Sequence, residues 1–461
     1  MSGKIKINIR IAAAVVTAAV LFVFAGPFIT VSYGAEYSLM DPFDLIVYTG
    51  KPDGTVARAY SSNYDNNIYV SMTDLSFAMD GTSKQFSFRY GKTEQDGEFF
   101  AVQPGESGAE TQQYMTDGKI ARAEHDEPVW LEFKRNRLFF NGTDRKYYTY
   151  RDGGNDLYMS LTDIQLMLDV TAVMQSENCA VIYPDTLFSP DIEALETAGY
   201  FNYVNGLVLG DATTGEILFF KDKNKVTSIA STSKLMTYLL LAEAADYGKI
   251  SFDDFVVISE NAEKLSKSAD AAIEMKAGET VPFRELLDGM LVASSNECAL
   301  ALAEHSYGSE ADFVSAMNIR ARQLGLNSAE FFNPHGLPQY VFGSVQTKIQ
   351  NRMNAEDLFK LSAYVLNTHP EITEITSKQY AVLSTLEYSS ANSNPLVFNM
   401  PGVTGLKTGS TNRAGYCLVA SMPVGQHNVV LVLLGSETGS ERGQQAEILL
   451  RYAKRIIETE E

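Results

Sequence analysis

Residues 229–248 read IASTSKLMTYLLLAEAADYG, and this stretch places a Ser-x-x-Lys pair at the start of an apolar segment. The apolar run predicts a helix from about Thr232 to Tyr247. Ser231 then lies at the helix N-terminus, and Lys234 lies one turn further along the same side. A serine hydroxyl is a weak nucleophile, and a lysine beside it can act as base when burial or a nearby positive charge keeps the amine neutral. An isolated Ser-x-x-Lys pair is more often an exposed helix start, so the surrounding sequence has to decide.

The segments on either side of this pair carry their own patterns. Upstream, residues 201–222 (FNYVNGLVLGDATTGEILFFKD) alternate around a central Thr-Gly and predict a β-hairpin. Downstream, residues 282–305 (PFRELLDGMLVASSNECALALAEH) predict two helices with a break at Ser294-Ser295-Asn296. Polar residues at that break would face a cleft, where Ser294 can pass a proton to a leaving amine and Asn296 can bind a substrate amide. The alternative is a simple helix cap.

A third polar string, Lys407-Thr408-Gly409-Ser410, lies near the end of the chain. Residues 405–422 followed by 427–435 predict two antiparallel strands. Lys407 and Thr408 would hold a terminal carboxylate, and Gly409 would let an extended peptide lie against the strand edge.

Three further expectations concern the groups around the reacting serine. The backbone N–H groups of Ser231 and Ser410 are candidate donors to a developing oxyanion. Lys407 would supply the positive charge that keeps Lys234 neutral. Arg442, at the start of the last helix, is a second candidate for carboxylate binding, with a solvated helix-start arginine as the alternative.

The first 35 residues differ from the rest of the chain. Lys4, Lys6 and Arg10 precede an almost uncharged stretch over residues 11–31, and polar sequence resumes at Ser32. This pattern predicts export, with the segment either cleaved as a signal peptide or retained as an N-terminal membrane anchor. The protein is therefore expected outside the cytoplasm, either secreted or anchored to the cell membrane.

Composition excludes several functional classes. The chain has 461 residues, a formal net charge of -20, 45% hydrophobic and 20% charged residues, which is typical of a globular protein with two or three domains. The acidic balance argues against nucleic-acid binding. The three cysteines and five histidines have no metal-ligand spacing, so we expect no metal, no organic cofactor and no disulfide framework, with all three cysteines as small buried apolar residues.

An internal repeat lies between residues 36 and 184. Residues 66–80 (NNIYVSMTDLSFAMD) match residues 155–169 (NDLYMSLTDIQLMLD) position by position. Each copy predicts a short strand, a Ser helix cap and a short helix, and the two copies suggest two similar lobes packed together. This strand-turn-helix unit resembles the copper amine oxidase N-terminal-like domain of exported bacterial wall proteins. No copper is expected, because a His or Cys cluster is missing from the segment. The resemblance implies a spacer or a module that binds the wall or a protein partner.

Residues from about 200 to 458 resemble the D-alanyl-D-alanine carboxypeptidase family, the low-molecular-weight penicillin-binding proteins. The resemblance rests on IASTSKLMTY, LVASSNECALALAEH, FNPHGLP and GVTGLKTGSTNRAGYCLVAS in this order, with GSETGSERGQQAEILL closing the domain. It implies a mainly antiparallel sheet covered by helices, with a helical subdomain carrying the Ser294 string. The fold expected for the whole chain is thus multidomain: a signal or anchor (1–35), an α+β tandem module (36–184), a linker (185–200) and a transpeptidase-like α/β domain (201–461).

The family resemblance also implies roles for individual residues. Ser231 would be the acylated nucleophile, Lys234 its base, and Ser294 and Asn296 the relay and the amide contact. The carboxylate clamp and oxyanion shell would comprise Lys407, Thr408, Ser410 and Arg442, and His335 would be structural. Two positions depart from the family pattern: Ile229 replaces a usual proline, and Ser295 replaces a usual glycine, where we expect its added bulk beside the cleft to change rate or selectivity.

The implied activity is removal of the terminal D-alanine from peptidoglycan stem peptides through an acyl-serine intermediate, with β-lactams as covalent inhibitors. Two alternatives remain open: a DD-endopeptidase acting on cross-links, and a wall-binding or β-lactam-sensing protein that is acylated without turnover. A serine β-lactamase is disfavoured because the chain lacks a Glu-x-x-Leu-Asn string.

Overall fold

The computed structural model describes residues 37–48, 55–62, 67–93, 97–107, 129–134, 138–145, 147, 149–151, 156–176, 178–188, 192–197, 199–268, 270–341 and 347–460. The predicted signal or anchor over residues 1–35 lies outside this part of the chain. Among the described residues, no helix is long and apolar enough to cross a membrane. The chain divides into two compact units, with the boundary between Asn202 and Tyr203.

The first unit is built mainly from short strands. Its elements are β1 (Tyr37–Val47), β2 (Thr55–Ser62), β3 (Ile68–Ser71), α1 (Met72–Ala78), β4 (Phe86–Thr93), β5 (Gly97–Pro104), β6 (Val129–Lys134), β7 (Leu138–Phe140), β8 (Thr143–Arg145), β9 (Thr149–Arg151), β10 (Leu157–Ser160), α2 (Leu161–Leu168), β11 (Thr171–Ser176), β12 (Cys179–Tyr183) and α3 (Ile192–Thr197). The larger sheet has the order β11-β12-β1-β2-β3-β10-β9-β6, and a smaller one has the order β4-β5-β7-β8. The predicted linker contains α3.

The two copies of the repeat form strand-to-helix corners, as predicted. Ser71 caps α1 by accepting from the Asp74 N–H, and Ser160 caps α2 by accepting from the Asp163 N–H, both at 3.0 Å. The two copies, which were expected to form two similar lobes packed together, lie side by side in one sheet, where β3 and β10 pair as antiparallel neighbours. The copies therefore share their backbone hydrogen bonds.

The larger sheet also closes on itself. Strand β6 pairs with β1 as well as with β9, so that β1, β2, β3, β10, β9 and β6 form a ring. Each of these six strands contributes one residue to a common buried cluster: Met40, Tyr60, Tyr69, Tyr158, Tyr150 and Leu131. A separate core, which includes Leu75 of α1 and Ile164 of α2, lies between the sheet and the two helices. The repeat thus supplies Tyr69 and Tyr158 to the inner cluster and both helices of the outer cover.

The second unit is a sheet covered by helices. Its elements are β13 (Gly206–Asp211), β14 (Ile217–Lys221), β15 (Thr227–Ser228), α4 (Lys234–Asp246), β16 (Phe255–Val257), α5 (Glu260–Ser266), β17 (Thr280–Pro282), α6 (Phe283–Leu291), α7 (Asn296–Tyr307), α8 (Glu310–Gln323), β18 (Gln339–Val341), β19 (Thr347–Ile349), β20 (Arg352–Met353), α9 (Ala355–Thr368), α10 (Ile372–Thr376), β21 (Tyr380–Leu383), β22 (Tyr388–Ala391), α11 (Leu396–Asn399), β23 (Gly405–Thr411), β24 (Gly415–Val424), β25 (His427–Ser436) and α12 (Gly439–Glu460). The main sheet has the order β14-β13-β25-β24-β23, with neighbouring strands antiparallel.

Strand β25 shows how this unit fills its core. Val430, Val432 and Leu434 belong to the cluster that also contains α4 and α9 side chains. The alternating Val429 and Leu431 are equally buried but lie outside that cluster, because successive strand residues point to opposite faces, and α12 packs against the strand. The expected fold class, a mainly antiparallel sheet covered by helices, is confirmed.

Two local predictions in this unit need correction. The helix after Ser231 begins at Lys234, since Ala230–Ser233 forms a tighter 3₁₀ turn first. Residues 405–422 form two strands, β23 and β24, joined by a turn, so with β25 the C-terminal region has three strands where two were expected. The predicted hairpin (β13 and β14) and the helix break between α6 and α7 are present.

Candidate active site

The pair found first in the sequence is joined directly in the structure. The Lys234 ammonium nitrogen lies 2.9 Å from the Ser231 hydroxyl oxygen. The 3₁₀ turn carries Ser231 and leads into α4, so a single helical corner sets this distance. Ala230, immediately before the serine, has a φ of 48°, a conformation that is costly for a residue with a side chain. The serine is thus presented on a strained corner.

Burial sets the chemistry of Lys234. The side chain is fully buried, and this burial lowers its pKa to about 7, against the opposing effect of the nearby Glu297 carboxylate. A substantial fraction of the amine is therefore neutral near neutral pH and able to take the serine proton. The expected cause was the charge of Lys407, but the lowering of the Lys234 pKa comes from desolvation.

The carbonyl of His335 is a third member of this group. It accepts hydrogen bonds from the Lys234 ammonium at 2.8 Å and from the Ser231 hydroxyl at 3.3 Å. Burial and the Lys234 charge lower the pKa of the His335 ring to about 3, and its Nδ1 accepts from the Leu337 N–H. The imidazole is therefore neutral, and the residue acts on the site through its backbone.

Two asparagines hold the His335 loop in place. The Asn333 side-chain oxygen accepts from the N–H groups of His335 and Gly336, and the Asn351 side chain bonds back to Asn333. A Cβ on Gly336 would lie 2.1 Å from the carbonyl oxygen of Ala230, so this glycine lets the loop approach the strained corner. A backbone carbonyl has no signature in a sequence, and only the Asn-Pro-His-Gly string hinted at this loop.

Lys407 and Ser294 form the second half of the site. The Lys407 ammonium donates to the Ser294 hydroxyl at 2.8 Å and to the Thr408 carbonyl at 2.9 Å. Burial lowers the pKa of Lys407 well below its usual value, and the charges of Lys234 and Arg442 lower it further. An anionic substrate group beside Lys407 would stabilise the charged form of this lysine. Ser294 has a φ of 66°, so a second strained residue lies in the site.

The side-chain amide of Asn296 makes hydrogen bonds to other protein groups through both its oxygen and its nitrogen. Its oxygen accepts from Lys234 at 2.8 Å, and its nitrogen donates to the carbonyl of Asp270 at 3.0 Å. The side chain is nearly buried. Its predicted contact with a substrate amide stays a prediction, and what the structure adds is a direct bond to the base.

Gly409 has a different neighbour from the one expected. A Cβ at this position would lie 2.7 Å from the backbone nitrogen of Ser231 and 3.0 Å from that of Thr232. The missing side chain thus makes room for the serine corner to pack on β23. Because β23 is an edge strand of the main sheet, its other backbone edge remains the place where an extended peptide would pair.

The remaining predicted residues lie around this strand. Ser410 is exposed at the end of β23, and the Thr408 hydroxyl bonds to the Ser393 hydroxyl at 2.6 Å, a partner that the sequence did not reveal. Arg442 is buried on α12, where it donates to the Cys417 carbonyl at 3.4 Å. The alternative of a solvated arginine is therefore wrong, and carboxylate binding by this residue stays a prediction.

Both departures from the family pattern have a structural reason. Ser295 is fully buried and caps α7 by accepting from the Cys298 N–H at 3.0 Å. The expectation that it adds bulk beside the cleft is wrong, because its side chain turns into the helix end. The Ile229 N–H donates to the Asn351 carbonyl at 3.1 Å, a bond that proline is unable to make.

The positions of possible metal ligands and of the cysteines can be compared in the described part of the chain. No group of three or more His, Cys, Asp or Glu side chains there is arranged to hold a metal ion. The three cysteines are free; Cys298 and Cys417 are buried, as expected, whereas Cys179 is only half-buried.

A buried lysine on a serine hydroxyl, beside a second lysine on an edge strand, defines an active-site serine enzyme of the acyl-transfer class. Residues 204–438 match the Peptidase_S11 model, described as D-alanyl-D-alanine carboxypeptidase, and the chain belongs to this family.

Individual relatives support the assignment. D-alanyl-D-alanine carboxypeptidase DacF of Bacillus subtilis (strain 168) is 35% identical over 255 residues, covering 55% of this chain and 62% of the relative. DacD of Escherichia coli (strain K12) is 30% identical over 256 residues, covering 55% and 63%. The chain thus spans less than two thirds of these relatives. The crystal structure of penicillin binding protein 6B from Escherichia coli superposes with a TM-score of 0.50 at 30% identity, covering 55% of this chain and 78% of that one.

Proposed function

We propose that this protein is a serine D-Ala-D-Ala carboxypeptidase that removes the terminal D-alanine from peptidoglycan stem peptides. The observation that carries the proposal is the 2.9 Å contact between the Lys234 ammonium and the Ser231 hydroxyl, made by a lysine whose pKa is lowered to about 7. Family membership supplies the substrate class.

In the first half-reaction, neutral Lys234 takes the hydroxyl proton as the Ser231 oxygen attacks the carbonyl carbon of the penultimate D-alanine. The oxyanion accepts from the N–H groups of Ser231 and Ser410. The C–N bond then breaks, and the Lys234 ammonium gives its proton through the Ser294 hydroxyl to the departing amine, which leaves Lys234 neutral again. The terminal carboxylate rests against Lys407 and Thr408 throughout, and D-alanine leaves behind an acyl-serine ester.

In the second half-reaction, water gives a proton to Lys234 and attacks the ester carbon. The C–O bond to Ser231 then breaks, the Lys234 ammonium returns a proton to the Ser231 oxygen, and the shortened peptide leaves. A β-lactam would follow the same first steps. Its leaving nitrogen stays tethered to the acyl group, so the ester formed on Ser231 would persist and the enzyme would be inhibited covalently.

The test is D-alanine release from a stem pentapeptide ending in D-Ala-D-Ala, measured with the purified full chain. Ser231→Ala should abolish release, whereas Ser306→Ala should leave it unchanged, because the Ser306 hydroxyl only bonds the Leu302 carbonyl on its own helix. Release from cross-linked dimers alone would instead assign an endopeptidase. Stoichiometric labelling by penicillin without turnover would assign a sensor.

The proposal extends to the location of the enzyme. Residues 1–35 would export the chain and either be cleaved or hold it on the outer face of the membrane, and the repeat-containing unit would bind a wall polymer or a protein partner. A fusion of residues 1–35 to a reporter that is active only after export tests the first part. An inactive reporter would contradict it.

A further inference from the structure

Glu297 is a buried acid next to the reacting groups that none of the proposed steps uses. It is fully buried in the first turn of α7, directly after Asn296. One carboxylate oxygen accepts from the backbone N–H groups of Ala272, at 2.9 Å, and Ile273. The other oxygen has no hydrogen-bond partner among the described residues. A buried carboxylate with one oxygen unpaired is costly, and this cost calls for an explanation.

The two bonds to Ala272 and Ile273 tie Glu297 to one loop. Asn296 holds the same loop through the Asp270 carbonyl, while its amide oxygen accepts from Lys234. Two consecutive side chains at one helix end therefore link the exposed segment around Asp270 to the base.

The charge of Glu297 acts on the same lysine. The titratable groups around Lys234 come from three elements: Glu297 and Cys298 on α7, His335 on its loop, and Lys407 on β23. His335 is neutral, and burial raises the pKa of the Cys298 thiol, so it too is uncharged. Lys407, when protonated, carries the same sign of charge as the Lys234 ammonium. Glu297 thus supplies the negative charge in this group.

We propose that Glu297 is a positioning residue with two separable tasks, which are to anchor the loop over Asp270–Ile273 and to supply a buried negative charge to the group around Lys234. This inference concerns the same site as the proposed function, and its kinetic test rests on that function. A carboxylate near a buried ammonium favours the charged form, so Glu297 limits how far burial neutralises the base. The reaction needs both forms of Lys234, because the amine accepts the serine proton and the ammonium returns one.

Two substitutions separate the tasks. Glu297→Gln keeps a side-chain oxygen that accepts from Ala272 and Ile273 but removes the charge. The pKa of Lys234 should then fall, and the acidic limb of the kcat/KM profile should move to lower pH by about one pH unit. Glu297→Asp keeps the charge on a shorter stem, so the limb should stay in place while the amides of Ala272 and Ile273 lose protection from hydrogen exchange.

The direct measurement is an NMR titration of the Lys234 ammonium in the full chain labelled with ¹⁵N at lysine Nζ, with the resonance assigned by its loss in Lys234→Arg. Glu304→Gln is the control, since Glu304 lies on the same helix and bonds Ser259 and Asn261 instead. An unmoved Lys234 midpoint in Glu297→Gln would overturn the proposal. The same midpoint shift in Glu297→Asp as in Glu297→Gln would also overturn it and assign a purely structural role. If the wild-type chain released no D-alanine, the proposed function would fail while this titration still decided the inference.

Discussion

At the scale of single residues, the site depends on positions where a side chain or its absence controls backbone packing. Ala230 and Ser294 adopt positive φ values beside the reacting groups. Gly336 and Gly409 both contact the corner that carries Ser231, one through the Ala230 carbonyl and one through the Ser231 nitrogen. Such strain persists only where the surrounding contacts over-determine it, and here it fixes the nucleophile before substrate arrives.

Gly409→Ala tests this packing. The new Cβ would lie 2.7 Å from the Ser231 nitrogen, closer than real Cβ contacts come, so the serine corner must shift away from β23. Since the Ser231 N–H is a proposed oxyanion donor, we expect D-alanine release to fall by about 10²-fold or more.

Gly443→Ala is the matched control for that substitution. The nearest atom to its new Cβ is 4.0 Å away, and the residue lies within α12, so activity should hold and stability should rise slightly. Equal activity of Gly409→Ala and the wild type would show that β23 does not support the corner.

At the scale of secondary-structure elements, helix ends place most of the reacting groups. The 3₁₀ turn before α4 carries Ser231, the first residue of α4 is Lys234, and α7 begins at Asn296. Helix starts leave backbone N–H groups free, which explains why polar residues gather there both as caps and as site residues. Ser295 shows the difference, because it belongs to the cap alone.

Ser295 provides a test of that separation. Ser295→Ala removes the side-chain acceptor for the Cys298 N–H and should lower the free energy of unfolding by about 1 kcal/mol. Ser295→Gly should lower the free energy of unfolding by only about a few tenths of a kcal/mol, because glycine is nearly as favourable as serine at a helix N-cap. Chemical denaturation measures both.

Catalysis gives the other half of this test. Because the Ser295 side chain is buried in the helix end, kcat for D-alanine release should change little in Ser295→Gly. A large change in substrate selectivity in that variant would restore the view that Ser295 lines the cleft.

At the scale of the whole molecule, the reacting groups and the internal repeat lie in different units. The acyl-transfer groups described above all lie in the unit after Asn202, which has its own core around α4, α7 and β25. The unit before it has two cores of its own, one of them the six-residue cluster inside the strand ring. Each unit thus has a hydrophobic core of its own, as a separately folding domain requires.

A chain of residues 203–461 should therefore release D-alanine from a soluble pentapeptide with kcat/KM within about twofold of the full chain. Binding to insoluble wall material, measured by co-sedimentation, should weaken in the same truncation if the repeat-containing unit binds the wall. A matching chain carrying Ser231→Ala controls for contaminating activity. Folded but inactive truncated protein would show that the first unit contributes to the site.

The sequence by itself determined the three polar strings, the order of elements around them and the family, because nucleophile, base and clamp depend on residue type and on spacing within one turn or strand. Strand-to-helix corners and caps in the repeat were equally local, since a Ser cap bonds a residue three positions away. Only the tertiary structure decided the burial that lowers the pKa of Lys234. It also decided the backbone role of His335, the inward turn of Ser295 and the shared sheet of the repeat. These depend on segments far apart in the chain, and their contacts exist only once the core has closed.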